Sequence, residues 1–290
     1  VYEIDVCNQV QMNTVFKKHH FSGVIHFAAY KAVGESVDFP LMYYKNNLSS
    51  LISVLECMKE NNVHELVFSS SCTVYGEPKN VKEVTEDSPK VEANSPYGNT
   101  KCISEEMISD FANSWPSLKA INLRYFNPVG AHPSGFVGEF PIGKPNNLLP
   151  YLTQTAIGRL ESLTVFGNDY PTKDGTCIRD YIHVVDLANA HVKAIAFLGN
   201  QDNSCCEVVN IGTGKGTSVL ELINLFVSKT GQDLNWSYGP RRSGDVTEIY
   251  ANVSKAKKTL SWEAKYSIGD ALVHAWQWEK NINKKMKHVN

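Results

Sequence analysis

Residues 66–71 read LVFSSS, three apolar residues followed by three serines. The apolar half predicts a buried strand, and the serines then stand where that strand ends. Residues 24–29 (VIHFAA) and 120–125 (AINLRY) have the same strand-like composition. Continuously apolar strands that alternate with helices are typical of a parallel sheet covered on both faces. We therefore predict an α/β fold with a doubly wound parallel sheet, whose ligands bind at the carboxyl ends of the strands.

The remaining elements follow from apolar spacing and from helix start signals. We predict helices over 41–61, 219–230 and 268–280, a helix that Pro96 opens, strands over 1–5 and 208–211, and a strand-turn-helix unit over 182–198. Residues 78–95 are polar and contain prolines, which predicts a loop. Residues 128–150 are rich in glycine, proline and asparagine, and a loop of this length is usually functional.

Tyr97 and Lys101 are four residues apart, so they share one face of the predicted helix. A free phenol titrates near pH 10, and an adjacent cation favours the phenolate. Reaching pH 7 takes about 3 pH units, or roughly 4 kcal/mol, which calls for a second cation such as an oxidised nicotinamide. Ser71 is placed to hydrogen-bond the same reacting oxygen. The trio predicts alcohol–ketone chemistry with hydride transfer, and an exposed Tyr–Lys pair is the alternative.

Composition limits the other classes of function. The net charge of -2 shows no excess of positive charge, so the sequence does not indicate binding to nucleic acid. Apolar runs stay below the about 18 residues that a membrane span needs. The seven cysteines are odd in number and contain no C-x-x-C motif, which indicates a reduced, cytoplasmic protein without a metal site.

The phosphate-binding turn expected of a dinucleotide-binding sheet is not found near Val1. Such a sheet opens with a strand, a glycine-rich turn and a helix, where the glycines let the pyrophosphate approach. Residues 212–216 (GTGKG) are the nearest substitute, but they lie late in the chain. We therefore expect that about two βα units of the sheet precede Val1, and that a chain starting there binds dinucleotide poorly.

Eight strings together identify a known family. They are VIHFAAYKAVGESV (24–37), LVFSSSCTVYG (66–76), SPYGNTK (95–101), LRYFNPVGAHPSG (123–135), PNNLLPY (145–151), LTVFGNDYPTKDGTCIRDYIHVVDLA (163–188), NIGTG (210–214) and RRSGDV (241–246). On these strings the chain resembles the UDP-galactose 4-epimerases of the extended short-chain dehydrogenase/reductase superfamily. The resemblance implies a Rossmann-type NAD-binding domain over 1–126, to which 179–213 returns, and a smaller mixed α/β UDP-sugar domain mainly over 127–290.

The resemblance also implies a reaction: reversible inversion at C4 of UDP-galactose or UDP-glucose through a 4-ketose, on a bound NAD. Tyr97 takes the proton of the sugar hydroxyl, Ser71 binds the same oxygen, and Lys101 lowers the Tyr97 pKa and holds the nicotinamide ribose. The implied cofactor-binding residues are Asp5, Val6, Phe27, Ala28, Lys31, Tyr97, Lys101 and Tyr125. A homodimer formed through the faces of the helices over 41–61 and from Tyr97 is implied as well.

The implied UDP-sugar contacts lie in five segments. They are Ser71, Cys72 and Thr73; Tyr125, Phe126 and Asn127; Asn146, Asn147 and Leu148; Thr164, Val165 and Phe166; and Arg179, Arg242 and Asp245. Two arginines suit the grip of a diphosphate, because guanidinium geometry matches its oxygens. The alternative for each arginine is a surface salt bridge, with Asp180 or Asp245 as the partner.

Two other functions compete with epimerisation. A nucleotide-sugar 4,6-dehydratase carries an Asp-Glu pair after its serine or threonine, whereas this chain has Cys72 and Thr73 there. A non-catalytic module that binds UDP-sugar or NAD has no need of the Ser71, Tyr97 and Lys101 trio. Cys72 stands where alanine is usual in the family, and we expect a thiol beside Ser71 to make an epimerase sensitive to alkylation.

Overall fold

The computed structural model describes residues 1–78, 81–242 and 244–287. Its helices are α1 (Gln9–Lys18), α2 (Val33–Asp38), α3 (Pro40–Glu60), α4 (Pro96–Ser114), α5 (Leu148–Ala156), α6 (Val184–Gly199), α7 (Val219–Thr230), α8 (Ser254–Leu260) and α9 (Ile268–Lys287). Its strands are β1 (Gly23–His26), β2 (Glu65–Ser69), β3 (Glu83–Val84), β4 (Lys119–Tyr125), β5 (Asn127–Val129), β6 (Leu163–Phe166), β7 (Ile178–His183), β8 (Cys205–Ile211), β9 (Gly216–Ser218), β10 (Trp236–Gly239) and β11 (Glu248–Ala251). A 3₁₀ turn covers Cys72–Tyr75.

The first sheet is parallel and has the strand order β1-β2-β4-β8. Leu66 and Phe68 of β2 pack into a core shared with α1, α3 and α4. Val67, which points to the opposite face, packs into a second core with α6 and α8. Because both faces are covered by helices, the strands are apolar without alternation. The predicted doubly wound sheet is confirmed.

Two further sheets lie mostly in the later part of the chain. One has the order β3-β11-β7-β5, with β9 antiparallel to β7, and the other pairs β10 with β6. A separate core joins β6 to α5, α7 and α9. This is the predicted smaller mixed α/β region. Helix α8 is an exception, since it packs against the first sheet rather than this core.

Helix boundaries follow their local signals. Pro40 and Pro96 are the first residues of α3 and α4, where a missing backbone N–H costs nothing. The Ser95 hydroxyl caps α4 by accepting the Gly98 N–H at 3.1 Å. Ser218 and Glu221 form a capping box at the start of α7. Helix α9 extends to Lys287, beyond the predicted end at residue 280.

Two strand predictions need correction. Residues 1–5 form no strand, because a strand requires a neighbouring ladder and these residues pair with none in the described ranges. Asp5 instead closes a turn before α1, accepting the Cys7 N–H at 2.9 Å. The run 24–29 is a strand only as far as His26, and Phe27 is 55% exposed. The loop 128–150 likewise contains the end of β5 and the start of α5.

Candidate active site

A cavity of about 730 Å³ opens at the carboxyl ends of β1, β2 and β4. Of the predicted site residues, those in its wall are Phe27, Lys31, Ser71, Cys72, Thr73, Tyr97, Lys101, Tyr125, Phe126, Asn127 and Asn147. Ligands of doubly wound sheets bind at this edge. The structure therefore brings the predicted catalytic trio together with eight of the nineteen other predicted cofactor and sugar contacts.

Ser71 and Tyr97 owe their positions to two caps. Ser71 follows β2 and caps the 3₁₀ turn, accepting the Thr73 N–H at 3.2 Å. Tyr97 follows the Ser95 cap in the first turn of α4. Each cap fixes the residue at which its helical element begins. The caps therefore place the side chains of Ser71 and Tyr97 at the cavity wall.

Lys101 is 4% exposed and bonds to the strand rather than to the phenol. Its Nζ donates to the Ser69 carbonyl at 2.6 Å and lies 5.9 Å from the centre of the Tyr97 ring. Burial lowers the pKa of Lys101 to about 8, and the Glu105 carboxylate opposes this. Lys101 therefore loses its proton far more readily than a surface lysine.

Burial raises the pKa of Tyr97, and the nearby Tyr125 adds to this while the Ser71 hydroxyl opposes it. This direction is opposite to the one that the predicted role of Lys101 requires. Burial disfavours the phenolate more than the distant ammonium stabilises it. In this structure the Tyr97 phenol is therefore protonated near neutral pH.

Two polar atoms in the cavity wall are buried without a partner in the described residues. They are Thr73 Oγ1 and Asn127 Oδ1. Buried polar groups are nearly always hydrogen-bonded, so an unpaired pair on a cavity wall fits a ligand that carries hydroxyl groups. Both lie in segments predicted to contact the sugar.

A second cluster lies on β7 and on the segment before β11. Arg242 Nη2 lies 2.7 Å from Asp245 Oδ1, and Arg179 Nη2 lies 3.7 Å from the same oxygen. The Arg242 guanidinium also lies 5.8 Å from the centre of the Phe166 ring. Two cations share one carboxylate, which leaves local positive charge for an anionic ligand.

The salt-bridge alternative offered Asp180 or Asp245 to each arginine, and the structure pairs both arginines with Asp245. Asp180 has other partners. Its buried carboxylate accepts the N–H groups of Thr213 at 2.8 Å and Gly214 at 3.0 Å. A Cβ on Gly212 would lie 2.5 Å from Asp180 Oδ2, so only glycine allows this approach. The glycine-rich segment 212–216 thus binds an internal carboxylate.

The other predicted residues lie outside the cavity wall in the ranges that the structure describes. They are Asp5, Val6, Ala28, Asn146, Leu148, Thr164, Val165, Phe166, Arg179, Arg242 and Asp245. Val6 packs beside the core under α1 and α3, and Val165 is buried in the core of the second region. Ala28, Asn146 and Leu148 adjoin wall residues in the sequence, and the charge of Arg179 reaches Cys72 in the wall.

Glu139 is a cavity residue that sequence reasoning missed. Its carboxylate Oε1 lies 3.3 Å from Lys31 Nζ and accepts the Asn147 amide at 3.0 Å. Its backbone carbonyl accepts the Trp278 indole N–H at 2.9 Å. It thus joins the predicted cofactor side of the cavity to the predicted sugar side. No local pattern predicts this, because two of its three partners are over 100 residues away.

Cys72 lies in the cavity wall beside Ser71, as expected. Burial raises the pKa of its thiol to about 12, although the nearby Arg179 charge opposes this. Thiols react as thiolates. The environment therefore argues against the expected sensitivity to alkylation.

Comparison with known proteins gives one consistent result. A family model described as GDP-mannose 4,6 dehydratase matches residues 1–274. The UDP-glucose 4-epimerase of Schizosaccharomyces pombe is 49% identical over 282 residues, which cover 96% of this chain and 79% of that protein.

Solved structures agree. The UDP-glucose 4-epimerase of Bifidobacterium longum in complex with NAD+ and UDP superposes with a TM-score of 0.93 at 45% identity, covering 97% of this chain and 82% of that one. The Stenotrophomonas maltophila UDP-glucose-4-epimerase with bound NAD and formylated UDP-arabinopyranose gives a TM-score of 0.93 at 43% identity, covering 98% and 83%. The chain therefore belongs to the UDP-glucose 4-epimerases, within the broader family that the dehydratase model describes.

Proposed function

We propose that this protein interconverts UDP-galactose and UDP-glucose in galactose metabolism, by inverting C4 of the hexose with NAD as its bound cofactor. The observation that carries the proposal is the convergence of Ser71, Tyr97 and Lys101 on one cavity at the carboxyl ends of parallel strands. Membership of the epimerase family supports the choice of substrate.

The cavity wall fits a nicotinamide dinucleotide at one side. Phe27 and Lys31 follow β1, and Tyr125 ends β4 on the other side of β2. The three would hold it beside Tyr97 and Lys101. Bound in its oxidised form, NAD would supply a hydride acceptor and a second positive charge near the phenol. This is the additional cation that the raised Tyr97 pKa calls for.

The protein's own groups handle the proton and the oxygen. The Tyr97 phenolate would accept the proton of the sugar 4-hydroxyl and later return it, as a general base and acid. The Ser71 hydroxyl would donate a hydrogen bond to the same oxygen as negative charge develops there. Lys101 would stabilise the phenolate through its buried positive charge.

The arginine pair would hold the nucleotide. Arg179 and Arg242 present two guanidinium groups around Asp245, and two such groups suit a diphosphate. The Asp245 carboxylate would orient the two guanidinium groups or bind the ribose of the nucleotide. Inversion at one carbon requires the sugar to rotate so that its opposite face meets the cofactor. An anchor on the diphosphate allows this rotation while the nucleotide stays bound.

The test is conversion of UDP-galactose to UDP-glucose by the purified protein with NAD, measured by chromatography. We expect conversion by the wild type and its loss in Tyr97→Phe. Tyr2→Phe is the matched control, since the exposed Tyr2 hydroxyl bonds only to His19 among the described residues. Binding of UDP-galactose without conversion would support the non-catalytic alternative. A 4-keto-6-deoxy product would support a dehydratase.

The two-region organisation also remains a proposal: dinucleotide binding by 1–126 with 179–213, and UDP-sugar binding mainly by 127–290. The pairing of β8 with β4 in the first sheet supports the return of 179–213. Limited proteolysis with and without NAD tests it, because NAD should protect the first set of residues selectively.

We further propose a cytoplasmic homodimer. The exposed Leu41, Met42 and Ile52 on α3 support a helical interface, since large apolar side chains are normally covered. No helix in the described ranges is long and apolar enough to cross a membrane. Light scattering of the wild type and Leu41→Glu tests the dimer, and cell fractionation tests the location.

A further inference from the structure

A buried charged cluster lies directly behind the proposed catalytic trio. Glu105 and Arg124 have side chains that are each 3% exposed. Arg124 Nε donates to Glu105 Oε1 at 2.8 Å, and Arg124 Nη2 donates to Oε2 at 2.6 Å. Such a bidentate pair has little freedom to move.

The same carboxylate binds the strand end that precedes the catalytic serine. Ser70 Oγ donates to Glu105 Oε1 at 2.6 Å, and Lys90 Nζ lies 2.8 Å from Oε2. Ser70 lies between Ser69 and Ser71 in the chain. The Ser69 carbonyl accepts a hydrogen bond from the Lys101 ammonium, and Ser71 lies in the cavity wall. Through its hydrogen bond with Ser70, Glu105 therefore holds the residue that lies next to both Ser69 and Ser71 in the chain.

Glu105 also follows Lys101 by four residues on α4, so the two side chains share one helix face. Few charged or titratable groups face Lys101. Helix α4 contributes Glu105 and Tyr97, β1 contributes His26, and β2 contributes the Ser69 carbonyl and the Phe68 ring, which lies 4.8 Å from Nζ.

Of these groups, only Glu105 carries negative charge at neutral pH. Burial lowers the pKa of His26 to about 4, so its ring is neutral. Burial raises the pKa of Glu105, but the hydrogen bonds and charge of Arg124 outweigh this and leave it below its usual value. Glu105 is thus ionised, and its charge favours the protonated form of Lys101.

We propose that Glu105 is a positioning residue: its carboxylate ties the strand end that carries Ser71 to α4, and its charge keeps Lys101 cationic. The inference rests on the function proposed above. Glu105 touches neither substrate nor cofactor in this account, and it acts on Tyr97 only through Lys101. Its loss should therefore lower kcat and leave KM for UDP-galactose within about two-fold of the wild type.

The test measures the pKa of Lys101 by NMR of protein carrying ¹³C-labelled lysine, with the resonance assigned by Lys101→Met. Glu105→Gln removes the charge and leaves Arg124 unpaired, so Glu105→Gln with Arg124→Gln provides a neutral pair in case the single variant does not fold. Glu105→Asp retains the charge. Glu106→Gln, on the exposed side of the same helix, is the matched control.

We expect Glu105→Gln to lower the Lys101 pKa by about 1 pH unit, and the double variant to lower it by less, because the double variant also removes the positive charge of Arg124. Glu105→Asp and Glu106→Gln should leave the pKa near the wild-type value. An unchanged pKa in folded Glu105→Gln, or an unchanged or raised pKa in the double variant, would overturn the inference. Unfolding of all three Glu105 variants would do the same, because it would show a purely structural role. The pKa is measured without substrate, so failure of the wild type to convert UDP-galactose counts against the proposed function alone.

Discussion

The Lys101 ammonium lies 5.9 Å from the centre of the Tyr97 ring and is hydrogen-bonded to the Ser69 carbonyl at 2.6 Å. Spacing on α4 places the two side chains on one face, but β2 holds the ammonium. Lys101 therefore influences the phenol through its charge, and it also joins α4 to the strand end before Ser71. The predictions below follow from this arrangement and from the charges around it.

Lys101→Met should lower turnover of UDP-galactose by about 10²- to 10⁴-fold, the range for loss of acid–base assistance. Methionine fills the space of the lysine stem and removes a buried charge. We therefore expect a melting temperature at or above that of the wild type. Initial rates and thermal unfolding measure the two quantities. Wild-type turnover in a folded Lys101→Met protein would exclude the role proposed for the ammonium.

Arg179→Met should raise KM for UDP-galactose by about 10- to 100-fold, since hydrogen bonds to charged groups contribute about 1.5–3 kcal/mol. The effect on kcat should be smaller, because the anchor is separate from the trio. Arg241→Met is the matched control: Arg241 is exposed, pairs with Asp169 at 2.7 Å and stacks on the Tyr170 ring. Equal changes in KM for both variants would argue against a diphosphate grip at Arg179.

Iodoacetamide at pH 7.5 should inactivate the wild type no faster than Cys72→Ala. Burial raises the pKa of Cys72 to about 12, so very little thiolate is present at that pH. The measurement is the rate of activity loss over a series of reagent concentrations. Rapid inactivation of the wild type that Cys72→Ala abolishes would restore the expectation drawn from the sequence.

Stability should fall as the pH is lowered from about 6.5 to 4. Burial lowers the pKa of both His26 and His183 to about 4, against about 6.5 when unfolded. In that window the unfolded chain binds more protons, so protonation favours unfolding. Above pH 6.5 both rings are neutral in either state and contribute no slope.

The size of this acid effect is at most about 3 kcal/mol per histidine. Urea unfolding at several pH values measures the slope, and His26→Gln should reduce it relative to the wild type. His20→Gln is the control, since His20 is exposed. Identical slopes in the wild type and His26→Gln would contradict the assignment.

Sequence patterns predict the centre of this fold well. The apolar runs that became β2, β4 and β8 need burial on both faces, and only a helix-covered parallel sheet provides it. Proline at the first position defines the start of α3 and of α4. Each of these signals depends only on neighbouring residues, so it can be recognised in the sequence without knowledge of the tertiary structure.

The failures have a physical reason as well. Residues 1–5 have strand-like composition, but a strand depends on a partner that composition does not reveal. The late position of segment 212–216 already argues against a phosphate loop, but only the structure shows that its N–H groups bind Asp180, over 30 residues earlier. Both cases depend on which segments meet, which is a long-range property.

The sequence by itself determined the parallel sheet, because apolar runs act over short distances, and the family, because eight of its strings resemble that family. It also predicted the trio of Ser71, Tyr97 and Lys101 from local spacing and from the resemblance. Only the tertiary structure decided what surrounds that trio. It placed the Lys101 ammonium on Ser69, Glu105 behind Ser70, and Asp245 between two arginines. Charge, burial and pKa depend on neighbours brought together from distant parts of the chain, and folding alone selects them.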